Sequence, residues 1–276
     1  MNRWRTFLVT VTVFMLVITG GLLFYIRELR REARHRRYLE LSSENKEVTI
    51  TIPEGWRREQ IGVLLEKQGV TNAADFLAAT KEDEGTLFPD TYRFFKLTTA
   101  KEVRAKMVDN YRAKAAQNID RDTLIIASIV EREAKKPEER AGIAGVYWNR
   151  YRANLALTAD PTVQYGRDTN LLKEKQARFG SEPSEKNDQE QNDVLLNFDF
   201  WGTITRNDYQ GVDSLYNTYR NAGLPPTPIC NPGLASIEAA LNPEESNNLY
   251  FLHTSDGQII YAKNIDEHNR NKQKYL

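Results

Sequence analysis

Residues 120–152 read DRDTLIIASIVEREAKKPEERAGIAGVYWNRYR, and the rest of the chain is organised around this stretch. From Leu124 to Val130 nearly every position is apolar, so a 3.6-residue period leaves no polar face and predicts a helix buried on most sides. Asp120 or Asp122 supplies an N-cap for a helix from Thr123 to about Lys135. Pro137 then ends it or opens the next helix, Glu138 to about Arg152. The apolar run stops at Glu131-Arg132-Glu133. A carboxyl group at the edge of an apolar helix is partly desolvated, which favours the protonated form that a general acid needs. The plainer alternative is a core helix that surfaces here, with Glu131 paired to a nearby Arg. Periodicity does not choose between Glu131, one turn below Ala127 and Ser128, and Glu133, one turn below Ile129 and Val130.

Working outward toward the N-terminus, Ala100 to Gln117 reads as a helix, and Gly85 to Phe95 is aromatic-rich with a Pro-Asp turn. Glu47 to Ile52 alternates at period two and is rich in β-branched residues, which predicts a strand. A Pro53-Glu54-Gly55 turn leads to a short helix ending near Gly69 and another over Ala73 to Thr80. This strand–helix–helix unit has the size of a small glycan-binding module. Toward the C-terminus, Lys173 to Asn192 is crowded with Gln, Asn, Glu and Lys and reads as a solvated or flexible insertion. Leu249 to Leu252 and Gln258 to Tyr261 form a hairpin about Asp256-Gly257, and Asp266 to Tyr275 a final helix.

Ahead of all this, Thr6 to Ile26 is an uncharged apolar run of about 21 residues, enough for a helix to cross a bilayer. It is longer than a signal-peptide core and ends in Phe24-Tyr25-Ile26-Arg27, a poor cleavage site, so it reads as an uncleaved anchor. Arg3 and Arg5 precede it, whereas Arg27, Arg30, Arg31, Arg34, Arg36 and Arg37 follow. On the positive-inside count alone the large domain would face the cytoplasm.

Lys plus Arg equal Asp plus Glu at 38 each, which gives no basic footprint for nucleic acid. There is no Gly-x-Ser-x-Gly elbow, phosphate-binding loop or His-Glu-x-x-His helix. His35, His253 and His268 lack ligand spacing, so no metal site is expected. Cys230 has no partner for an internal disulfide and reads as a loop or packing residue.

Ala127-Ser128-Ile129-Val130-Glu131, followed by Asn149-Arg150 and Asp160-Pro161-Thr162-Val163, resembles the core of the endolytic murein transglycosylases, the YceG-like family. Leu87 to Tyr92, Tyr216-Asn217-Thr218-Tyr219, Gly223 to Pro226, Asn231-Pro232-Gly233 and the ending through His268-Asn269 agree in order and spacing. Thr158-Ala159 departs from the family pattern, and the segment between Gly166 and Tyr216 is longer than usual.

The resemblance implies an α+β chain: a cytoplasmic tail (1–5), a transmembrane helix (6–26), a juxtamembrane stalk (27–45), a LysM-like module (46–82) and a mixed α+β catalytic domain (83–276) with a polar insertion at about 168–212. It further implies Glu131 as catalytic residue. On that reading Tyr216, Asn217, Tyr219, Asp160 and Gln164 are candidate substrate contacts; the plainer alternatives are a tyrosine-rich turn packed on the core and, for Asp160 before Pro161, a turn cap. No cofactor is implied. The expected partners are peptidoglycan strands, the membrane and peptidoglycan synthases, and the expected location is the inner membrane with an extracytoplasmic domain, against the charge count.

Overall fold

The computed structural model describes residues 46–115, 119–178 and 185–276, residues 185–188 by backbone alone, together with Trp4, Met15, Tyr25, Ile26, Leu29 and Glu32. The expected span Thr6 to Ile26 and the stalk after it therefore lie almost wholly outside the described residues. Among the described residues no helix is long and apolar enough to cross a membrane. Two compact units are present. One gathers residues through Glu47 with Phe95–Leu97, and in it the Lys96 N–H donates to the Lys46 carbonyl at 3.2 Å. The other comprises Val48–Phe94 and Thr98–Leu276 and holds everything that follows.

The architecture is mixed α+β. In order come β1 (Glu47–Thr51), α1 (Arg58–Lys67), α2 (Ala73–Ala79), β2 (Thr91–Phe95), α3 (Ala100–Lys114), α4 (Arg121–Glu133), a 3₁₀ turn (Pro137–Glu139) and α5 (Arg140–Arg152). Then follow α6 (Asp160–Ala177), α7 (Glu185–Leu196), α8 (Asp208–Gly211), α9 (Leu234–Leu241), β3 (Tyr250–His253), β4 (Ile259–Ala262) and α10 (Ile265–Tyr275). β1 pairs with β2, and β3 pairs antiparallel with β4 in the register Tyr250 to Ala262 and His253 to Ile259.

Helix α4 is the centre of the larger core. Its N-cap is Asp120, whose carboxylate accepts from the Thr123 N–H at 2.8 Å. Thr123 through Val130 are all buried, and the helix packs against α5, α6 and α9. Each aliphatic side chain fully buried here contributes about 1.5–3 kcal/mol. A second core joins Ile50, Ile52, Ile61, Leu65 and Phe76 to Leu87, Tyr92, Phe94, Val103 and Met107, so β1, α1 and α2 share their interior with β2 and α3.

Two expectations are corrected. Asp160-Pro161 opens an 18-residue helix, with proline in the first turn where its missing N–H costs no bond. Pro161, Tyr165, Asp168 and Leu172 form its buried stripe. The segment read as solvated or flexible, Lys173 to Asn192, is largely exposed over 173–178 yet supplies, where it is described, the end of α6 and most of α7, and Leu172 and Leu195 beside it pack with Ala73 in a third small core.

Arg57 has no exposed surface. Its Nε donates to Glu59 at 3.1 Å, its Nη1 to the Tyr165 carbonyl at 3.4 Å and its Nη2 to Thr169 Oγ1 at 2.8 Å, and its guanidinium lies 3.9 Å from the Tyr165 ring centre. Burial and the neighbouring Glu59 push the Glu84 carboxyl up to about 8. Replacing Arg57 by alanine strands buried Glu59 without its guanidinium, so Arg57→Ala is expected to cost about 3–5 kcal/mol in urea unfolding. A loss below about 1 kcal/mol would show that the site reorganises freely.

Candidate active site

Glu131 and Glu133 close the last turn of α4 two residues apart, hence about 200° apart around its axis. They face different surroundings. Glu131 Oε2 accepts from the Gly233 N–H at 3.0 Å, at the N-terminus of α9, and its Oε1 lies 3.6 Å from Arg140 Nη2. Arg140 Nε in turn donates to Ser236 Oγ at 2.9 Å. A carboxylate suits that helix end, whose free N–H groups carry partial positive charge. Glu54 joins this corner: burial and then the Glu131 charge push its carboxyl above the ordinary value, while Arg140 opposes them. A side chain at position 233 would push the Glu54 carboxylate out of this corner. The Glu131 side chain is 7% exposed.

Glu133 lines an open cavity of about 370 Å³, with Tyr147, Arg150, Asp160, Tyr219 and Tyr250 among its walls. Burial pushes its carboxyl up to about 7; the Tyr147 hydroxyl, which donates to Oε1 at 3.0 Å, opposes this, and the nearby Asp160 charge adds to it. Asp160 accepts from the Tyr219 hydroxyl at 2.6 Å and from the Tyr209 hydroxyl at 3.3 Å. Burial raises both phenols, and hydrogen bonding to Asp160 raises them further, so they remain protonated donors. Arg150 braces the opposite wall, donating to the carbonyls of Ala156 (2.8 Å) and Leu249 (2.9 Å) and to Thr158 Oγ1 (2.9 Å). Thr158, one of the two positions that depart from the family pattern, has φ 48°, a left-handed conformation uncommon for a β-branched residue.

Of the residues singled out in the sequence, Asp160 and Tyr219 thus meet at one cavity, and Glu133 meets them there. Glu131 does not line it. Asn217 is fully buried: its amide donates to the Tyr209 and Val212 carbonyls at 3.1 and 3.0 Å and its Oδ1 accepts from the Tyr219 N–H at 3.1 Å, so it sets the two tyrosines from behind. Tyr216 packs on Tyr165 at 4.5 Å and its hydroxyl bonds Thr227 at 2.6 Å. Gln164 donates to the Trp201 and Gly202 carbonyls, both at 3.1 Å, and holds that loop. Tyr147, Arg150, Tyr209, Tyr250 and His268 were not assigned roles from sequence. Arg150, already quoted within the Asn149-Arg150 motif, was the one signal available. Among the described residues no group of three His, Cys, Asp or Glu side chains could hold a metal ion.

The fold and cavity define an α+β protein whose central helix delivers a carboxyl group of raised pKa to a tyrosine-walled cleft. The YceG-like family matches residues 28–274, and the chain belongs to that family. It is 33% identical over 207 residues to an endolytic murein transglycosylase of Bacillus subtilis (strain 168), covering 70% of this chain and 48% of the relative. It is 29% identical over 272 residues to an endolytic murein transglycosylase of Streptococcus pneumoniae serotype 2, covering 83% of this chain and 44% of the relative. The chain therefore spans about half the length of these curated relatives. Among solved structures, a YceG-like protein from Listeria monocytogenes superposes with a TM-score of 0.61 at 30% identity, covering 80% of this chain and 75% of that one.

Because Glu133 keeps its proton to about pH 7, the folded protein holds a proton there that the unfolded chain releases near 4.5. Its contribution to stability therefore falls as pH rises across that window. Glu133→Gln is expected to flatten this fall in urea unfolding, and Asp160→Asn, by removing a like charge, to lower the Glu133 midpoint in a carboxyl NMR titration. An unmoved midpoint would separate the two carboxylates.

Proposed function

We propose that the protein is a membrane-anchored lytic transglycosylase that cleaves the β-1,4 bond from N-acetylmuramic acid to N-acetylglucosamine in nascent peptidoglycan and leaves a 1,6-anhydro end. The observation that carries the chemistry is Glu133, a carboxyl group poised to about 7 in an open cleft. A general acid must hold its proton near working pH and still release it. Glu133 donates that proton to the glycosidic oxygen as the bond breaks. Its carboxylate then takes the proton of the muramic 6-hydroxyl, which attacks the anomeric carbon and closes the anhydro ring. Since the second nucleophile belongs to the sugar, one residue serves both steps and no cofactor takes part. Asp160 lends negative charge to the oxocarbenium-like centre, and Tyr219 offers a ring for a sugar face.

This reading moves the catalytic role from Glu131, which the family motif singled out, to Glu133. Glu131 instead caps α9 and anchors Arg140. The nearness of Asp160 also favours a second reading, a two-carboxylate hydrolase, whose product would carry reducing ends. A membrane-tethered glycan-binding scaffold without activity is the remaining competitor. Residues 46–82 serve as the LysM-like glycan-binding module, and Thr6 to Ile26 tethers the domain to the outer face of the inner membrane, beside peptidoglycan synthases.

Digestion of polymeric peptidoglycan followed by mass spectrometry tests the chemistry. Anhydro-muramic ends are expected, with at least about 100-fold less product from Glu133→Gln. Glu131→Gln should retain activity and lose about 1 kcal/mol of stability as a weakened helix cap. Reducing ends, or loss of activity in Glu131→Gln alone, would overturn the assignment. Orientation is checked by protease accessibility on spheroplasts: the domain should be digested from outside.

A further inference from the structure

Acids and bases group separately among the residues that line the cleft. Asp160 neighbours Glu133, while Arg150 and Lys272 neighbour His268. Among the described residues these five make no ion pair with one another. Tyrosine hydroxyls serve both carboxylates, and Arg150 spends its guanidinium on two carbonyls and a hydroxyl, so its charge meets no acid. His268 and Lys272 stand one turn apart on α10 and so share a face. The His268 ring stacks on Tyr250 at 5.1 Å, and its Nδ1 is buried without a hydrogen-bond partner. Lys272 is exposed at the rim. A buried ring nitrogen left unpaired, beside two cations that face no carboxylate, offers an arriving anion a hydrogen-bonding group and two positive charges. Burial, Lys272 and Arg150 all depress the His268 pKa, as expected of a cationic cluster without its counter-charge.

We propose that His268 and Lys272, backed by Arg150, form a carboxylate subsite that reads the acid carried on the 3-O-lactyl arm of the muramic residue. The inference rests on the glycan-cleaving reading above and adds specificity to it. In strands stripped of peptides the lactyl carboxylate is itself free. In peptide-bearing strands the lactyl group is amidated, and the carboxylates lie further along the peptide. The ligand chemistry is the same, and the source decides whether the subsite sits close to the sugar ring or admits a side branch.

The test measures binding separately from turnover, using full-length protein carrying Glu133→Gln in detergent. Affinity is measured for three probes: peptide-bearing strands, the same strands denuded by an amidase, and a chitin oligosaccharide, which has neither lactyl arm nor carboxylate. Lys272→Ala is expected to weaken one of the two charged probes by about five- to tenfold and leave chitin binding unchanged, with Lys272→Glu weakening it further and Lys272→Arg restoring it. Selective loss on denuded strands assigns the lactyl carboxylate, and selective loss on peptide-bearing strands assigns the peptide. No change with either strand, or an equal change with chitin, overturns the subsite. Wild-type protein that makes no anhydro ends, yet binds with this discrimination, would instead sink the catalytic reading and leave the subsite standing.

Discussion

The structure depends on one buried segment, Ile229 to Asn231, which has no exposed surface and fastens two cores at once. On one side Ser128 Oγ accepts from the Ile229 N–H at 3.0 Å, and the Cys230 thiol donates to the Ser128 carbonyl at 3.3 Å, which ties the segment to α4. On the other, Asn231 Oδ1 accepts from the N–H groups of Gly85 and Leu87, both at 2.9 Å, and its amide donates to the Trp56 carbonyl and to Glu84. Every polar group of the Asn231 side chain is thereby used inside the protein, where an unmade bond costs about 1–3 kcal/mol. The strand–helix–helix unit is consequently welded to α4. The cysteine that was unremarkable in the sequence is part of that weld.

From this fastening follows the division of labour on α4. A helix held rigidly between two cores presents successive residues to different neighbours, and its last turn ends with one carboxylate against α9 and another against the cleft. The first belongs to a closed corner of hydrogen bonds and an arginine. The second is held by the Tyr147 hydroxyl and the Asp160 backbone and lines the cleft. Identical side chains two positions apart so acquire different work from their surroundings alone.

Much of this was legible in the sequence. The apolar run predicted α4, Asp120 or Asp122 its cap, of which Asp120 serves, and alternation with a Ser-Asp-Gly turn the β3–β4 hairpin. What could not be read was which side of α4 would be open, because that depends on the rows of α5, α6 and α9 that pack beside it. Local pattern therefore left Glu131 and Glu133 equivalent. Helix α6 escaped notice because glycine and aspartate interrupt its buried stripe, and α7 because its composition resembles that of a solvated linker. Asn217 looked like a sugar-reading amide next to two tyrosines; only the fold reveals that three backbone groups already occupy it.

The hairpin and α10 have a consequence for timing. Leu249 grips Arg150, while Tyr250, His268 and Lys272 build one whole wall of the cleft. A chain still being synthesised, complete through Gly233, already owns Glu133, Asp160, Tyr147 and Tyr219 but lacks Tyr250 and the rest of that wall. The cavity around Glu133 is completed only when the final forty or so positions fold back onto α4 and α5, so a half-made polypeptide holds that carboxyl group without its finished surroundings.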